Sequence, residues 1–150
     1  MSLKSQVEAG IKDAMRAKDQ DKLRTLRAIK SLILLEETKE GSTGGDLSSE
    51  EEIKLLTRAA KQRKEAAEVY QTQGREDLWT KEEAELAIIE QFLPKQLTEE
   101  EVRERLQDII DRVGAKGPSD MGKVMGVATK ELAGQADGRT ISTLVKSMLA

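Results

Sequence analysis

Apolar residues recur at three- and four-residue steps through most of this chain, and polar stretches rich in glycine, serine or proline cut the pattern into segments. Leu3, Val7, Ile11 and Met15 predict a first helix beginning near Ser2. Ala17 to Asp21 is a polar break, and Asp21 is placed to cap a second helix carrying Leu23, Leu26, Ile29, Leu32 and Ile33. Leu34 and Leu35 widen that stripe, so this helix is expected to be the most buried of the first half. The following run, Glu40 to Asp46, holds three glycines and no apolar residue and predicts a mobile surface loop. Ser48 and Ser49 stand ahead of Glu51 and Glu52 at capping-box spacing, opening a long helix with a narrow stripe of Ile53, Leu56, Ala60, Ala67 and Tyr70 that runs to Gly74.

Beyond Gly74 a further helix carries Leu78, Leu86, Ile89, Phe92 and Leu93, with Glu82 and Glu85 interrupting the stripe and Pro94 ending it. The stretch Leu93 to Leu97 separates this helix from a new capping box, Thr98 with Glu101, and marks a boundary between a helical N-terminal domain (1–93) and a tail domain (98–150). In the tail, Val102, Leu106, Ile109, Ile110 and Val113 lie on one helix that stops at Gly114. Ser119 is positioned to cap a second, with Met121, Val124, Met125, Ala128 and Leu132, and a third carries Ile141, Leu144, Val145 and Met148. Between the last two lies a glycine-bracketed corner, Gly134 to Gly138. Gly134 suits a left-handed helix end and Asp137 suits the next N-cap, so the two helices should fold back on each other. No alternating strand pattern occurs, and the predicted fold is all-α.

Gly122 and Gly126 sit inside a predicted helix, where each costs about 1 kcal/mol relative to alanine. Something must offset that, either close helix packing or the approach of a partner's backbone.

Composition narrows the chemistry. The chain has 150 residues, no cysteine and no histidine, which removes disulfides, thiolate nucleophiles, the usual zinc ligands and the one side chain that titrates near neutrality. No apolar run approaches the roughly 18 residues of a membrane span, and the N-terminus lacks a secretion signal, so a cytoplasmic protein is expected. No metal or cofactor site is evident. Net charge is −3, but its distribution is uneven. Residues 1–39 carry +3 and residues 40–97 carry −5; from Arg112 onward six basic residues face three acidic ones.

The run Asp120-Met121-Gly122-Lys123-Val124-Met125-Gly126, followed by Gly134-Gln135-Ala136-Asp137-Gly138-Arg139, closely resembles the tail signature of the GatB/YqeY family. Lys61 to Lys64, Gly74 to Leu78 and Phe92 to Leu97 are similar to its stand-alone, YqeY-like branch. The family also includes the tail of the B subunit of glutamine-dependent tRNA amidotransferase, a domain understood to contact the tRNA body away from the amidating centre. The resemblance thus implies tRNA or another structured RNA as partner, or proteins of aminoacyl-tRNA metabolism. Amide hydrolysis and ATP-dependent transfer belong to other domains of that enzyme. A family label of carbon-nitrogen ligase activity with glutamine as amido-nitrogen donor would therefore not follow from residues of this chain.

Lys123 and Lys130 are two helical turns apart, as are Arg139 and Lys146, and each pair lies opposite its helix's apolar stripe. With Lys116 in the preceding loop they are the candidate nucleic-acid-binding residues; the matching motifs imply Lys123 and Arg139 first, with Lys146 beside them. Gly122, Gly126, Gly134, Asp137 and Gly138 are the candidate structural residues of the motif. A second basic group (Arg16, Lys18, Lys22, Arg24, Arg27, Lys30) is expected to be a solvated face, and in a third (Lys61, Arg63, Lys64) Lys61 and Lys64, one turn apart, are expected to pair with Glu65 or Glu68 along their helix. No aromatic residue lies in the basic tail, so contact with RNA backbone and shape is expected rather than base stacking. Gly117 to Val124 is a near miss to a phosphate loop, but it follows a helix and has valine where the magnesium-binding hydroxyl belongs. The acidic pairs Glu36–Glu37 and Glu82–Glu85 are expected to face water, and no catalytic residue is assigned. The alternative is a protein–protein module without a nucleic-acid role.

Overall fold

Apolar stripes too narrow to be stable alone are buried here by pairing helices. The computed structural model describes residues 2–39, 41 and 45–150, which form seven α-helices and no strand. They are α1 (Leu3–Ala17), α2 (Gln20–Thr38), α3 (Ser49–Thr72), α4 (Glu76–Glu90), α5 (Glu99–Val113), α6 (Met121–Glu131) and α7 (Gly138–Leu149). By internal contacts the chain divides into Met1–Leu93 and Pro94–Ala150. Most of the predicted loop, Glu40 and Ser42 to Gly44, lies outside the described residues.

In the first unit α1 packs along α2 and α3 along α4, with α2 reaching both members of the second pair. Leu26, Ile29, Ile33, Leu56 and Ile89 are almost wholly removed from water. Each such side chain contributes about 1.5–3 kcal/mol through burial. Gly10 permits the close approach of α1 to α2, since a Cβ there would meet Leu26 Cδ1 at 3.0 Å. The first helix begins where expected, with Ser2 as its cap, and Glu52, in the first turn of α3, accepts from the Leu3 N–H at 2.6 Å.

Several expectations change here. Asp19, not Asp21, caps α2, because Lys18 ends α1 in the left-handed conformation (φ 56°) and delivers the chain one residue later in extended form. Met15 is exposed, and Ala14 takes its place in the core. Leu32, Leu34 and Leu35 also face solvent, so α2 is buried along a narrower stripe than its composition suggests. In α3 the alanines Ala59, Ala60 and Ala67 are buried beside Leu55 and Leu56, whereas Ile53 and Tyr70 are only half-buried.

In the second unit α5, α6 and α7 all touch one another around Leu106, Ile109, Val124, Leu132, Ile141 and Val145. The predicted capping box is present: Thr98 accepts from the Glu101 N–H at 3.2 Å, and Glu101 accepts from the Thr98 N–H at 3.0 Å. Gly114 closes α5 at φ 68°. Ser119 does not cap α6. Pro118 starts a single 3₁₀ turn, Pro118–Asp120, that takes Ser119 inside it, and the Asp120 carboxylate accepts from the Lys116 N–H at 3.0 Å. Gly134 (φ 75°) turns the chain after α6, and Asp137 caps α7 by accepting from the Thr140 N–H at 2.7 Å.

Candidate nucleic-acid interface

The α6–α7 corner is held from outside the two helices. The Gln96 side-chain amide donates to the Gly134 carbonyl at 2.6 Å, and the Leu97 N–H donates to the Gln135 carbonyl at 2.9 Å. Gln135 returns a longer bond, 3.4 Å, to the Lys95 carbonyl. The segment entering the unit is thereby laced to the corner, giving partners to the turn carbonyls of Gly134 and Gln135. Sequence reasoning missed both glutamines as structural residues. The signal was that each sits inside a family-like run, Phe92 to Leu97 and Gly134 to Arg139.

On this support, Val124 and Ala128 of α6 and Ile141, Leu144 and Val145 of α7 face the shared core. A turn of 100° per residue then carries Lys123 and Lys130 to the outer side of α6, and Arg139 and Lys146 to the outer side of α7. Each pair spans about 10.5 Å, seven residues at about 1.5 Å rise. All four are exposed, as is Lys116 in the loop before α6. Each helix turns its own pair away from the core, so the tail presents two outward cation pairs, one per helix. Among the described residues none of the five has a carboxylate partner.

The acids of the same segment are committed instead. Asp120 receives the Lys116 N–H, Asp137 caps α7, and Glu131 accepts from Arg112 Nη2 at 2.6 Å. The Arg112 guanidinium holds the Glu131 carboxyl below the usual carboxylate range, chiefly through that hydrogen bond. Lys123 and Arg139 also stand in the first turns of α6 and α7, neither of which contains an acid. A helix N-terminus carries partial positive charge, so cations there are disfavoured by about 0.3–1 kcal/mol, an effect the capping Asp137 carboxylate offsets at α7. By contrast, α3 and α5 each open on three glutamates.

Gly122 and Gly126 are exposed, and a Cβ at either would meet nothing within 4 Å. Close packing inside the unit therefore does not explain them. Gly138 is likewise exposed and simply begins α7.

The other charge clusters behave differently. Glu82 and Glu85, expected to face water, turn inward: Glu85 is buried and Glu82 half-buried. Arg24 Nε donates to Glu85 Oε1 at 3.1 Å. Arg63 Nε stands 3.1 Å from Glu85 Oε2 and 3.8 Å from Glu82 Oε2, close enough for ion pairing but without hydrogen-bond alignment. The group joins α2, α3 and α4. Arg24 and Arg63 are thus anchors of the fold, Arg24 in place of the solvated face expected of its cluster. Lys61 does pair with Glu65 at 4.0 Å as expected. Glu36 and Glu37 are half-buried and engaged as well, Glu36 with Lys39 at 2.7 Å and Glu37 with Lys4 at 3.1 Å. Among the described residues no cluster of three acids is disposed to hold a metal, and no helix is long and apolar enough to cross a membrane.

Comparison with curated proteins finds no match. Comparison with protein-family models finds one that spans almost the entire sequence, residues 4–149, and is described as Yqey-like protein. That span takes in both units and every motif on which the resemblance rests, and the chain therefore belongs to the YqeY-like protein family.

Proposed function

We propose that this protein is a non-catalytic adaptor that binds tRNA or another structured RNA through its tail domain, residues 98–150, with the helical domain 1–93 free for other contacts. The observation that carries this is the charge economy of the tail beyond α5: Lys116, Lys123, Lys130, Arg139 and Lys146 stay exposed without carboxylate partners, while Asp120, Asp137 and Glu131 are all bound internally. Lys123, Arg139 and Lys146 are the principal phosphate contacts, with Lys116 and Lys130 beside them. The resemblance of this tail to that of the amidotransferase B subunit supports RNA as the anion. Cytoplasmic residence accords with that role. Contacts of this kind read backbone and shape, because no aromatic side chain lies among them.

The test is a titration of the full chain with total tRNA, and with duplex DNA for comparison, at two salt concentrations. Three phosphate contacts predict an affinity loss of roughly 40-fold between about 50 and about 200 mM salt. The triple variant K123E/R139E/K146E is expected to bind at least tenfold more weakly while keeping its helical content. Equal binding by the variant and the natural chain would remove the proposal. A second possibility, a protein–protein module, is favoured by the exposed Leu32, Leu34 and Leu35 on α2. A salt-insensitive protein partner, lost on changing Leu35 to Lys, would support it.

A further inference from the structure

Of the three acids in the tail's basic segment, two are bound by main-chain N–H groups nearby in sequence, Asp120 by that of Lys116 and Asp137 by that of Thr140. Glu131 is different. Its partner is one side chain from another helix, Arg112 of α5, whose Nη2 donates at 2.6 Å. Arg112 is fixed from its other side as well, with Nε donating to Asp108 at 3.0 Å. Its Nε and Nη2 are thus both committed to carboxylates within the unit, which ties the guanidinium to α5 and α6. Glu131 is the residue after Lys130 and the last of α6, where the negative end of the helix dipole already lies. Left alone it would be a permanent anion beside a cation of the binding surface.

We propose that Arg112 is a positioning residue that masks Glu131, keeping that carboxylate from repelling the phosphates taken by Lys130 and its neighbours, without itself touching the ligand. This rests on the RNA-binding reading of the tail, and the experiment separates the two. The full chain and four variants (R112A, E131Q, R112A/E131Q and R103A) are titrated with labelled total tRNA across a salt series. R103A removes the same charge from α5, but from a pair with Glu99 at the opposite end of the helix.

Masking predicts that R112A binds about 3- to 10-fold more weakly, since an anion released within a Debye length of a bound phosphate repels it. It also predicts a salt slope equal to that of the natural chain, because no phosphate contact is lost. E131Q should bind as tightly or more tightly, R112A/E131Q should return to within about twofold of the natural chain, and R103A should stay within that margin. Circular dichroism establishes that R112A remains folded. The masking role is overturned if R112A binds like the natural chain. It is equally overturned if the double variant stays as weak as R112A with a slope shallower by about 0.9, the mark of a direct phosphate ligand. Failure of the natural chain to bind tRNA overturns the adaptor reading and the mask together, whereas binding with a failed cycle overturns the mask alone.

Discussion

Glu85 shows how one residue can join three helices. Its two oxygens face Arg24 of α2 and Arg63 of α3, and only 8% of its side chain meets solvent. Removing one partner of a buried ion pair typically costs about 3–5 kcal/mol because the other is left uncompensated. Here the cost is smaller, since Arg24 and Arg63 are 44% and 32% exposed and Arg24 keeps its 2.8 Å pair with Asp21. Glu85→Ala is therefore expected to lower stability by about 1–3 kcal/mol, read as a shift in urea midpoint. Lys61→Ala, which breaks only the exposed 4.0 Å pair with Glu65, should change it by less than about 0.5 kcal/mol. Equal effects from the two would mean that burial is not what sets the value of Glu85. The sequence displayed the anomaly, two glutamates interrupting an apolar stripe. Their partners lie far away in the chain, and nothing local identifies them.

At the level of elements, helix existence was legible because the apolar period and the caps agree, as at Ser48, Thr98 and Asp137. Two starts were misplaced for local reasons. A lysine took the left-handed position that propensity assigns to glycine, moving the α2 cap to Asp19, and Pro118 created a 3₁₀ turn that absorbed Ser119. Which leucines of α2 would be covered was not legible either, since Leu32, Leu34 and Leu35 depend on neighbours that periodicity does not name. The candidate cations could be placed on helix faces from spacing alone. Their freedom from acids could not, because it depends on where Asp120, Glu131 and Asp137 find donors. The glycines of the tail give opposite predictions. Gly126 lies in the interior of α6 with open space where a Cβ would go, so Gly126→Ala should raise stability by about 0.5–1 kcal/mol. Gly134 holds φ at 75°, and Gly134→Ala should lower stability by about 1–2 kcal/mol. Thermal unfolding monitored by circular dichroism checks both; destabilisation by Gly126→Ala would show that α6 tolerates no added methyl there.

For the whole molecule, charge sets the response to pH. Several carboxyls lie below their ordinary values, each through a hydrogen bond first: Glu36 from Lys39, Asp77 from Arg75, Glu101 from the Thr98 backbone and Glu131 from Arg112. In these groups the unfolded chain binds protons more readily than the folded one, so their contribution is present above the ordinary carboxyl range and lost as pH falls through the folded values. Lys4, raised by its bond to Glu37, works in the other direction: its contribution is complete below the ordinary lysine value, about 10.4, and is lost as pH rises through the folded value. With no histidine in the chain, no side chain has an ordinary value between these ranges. Stability should therefore be nearly level from about pH 6 to about pH 9, falling below about pH 4.5, where the 25 basic residues also lose their counter-charges. Urea midpoints across a pH series test this, and a steep slope between about pH 6 and about pH 8 would contradict it. R112A removes the main cause of the Glu131 shift, so its stability should decline less between neutral and acid pH than that of the natural chain. R103A, which leaves the Arg112–Glu131 pair in place, should retain the full Glu131 contribution to that decline.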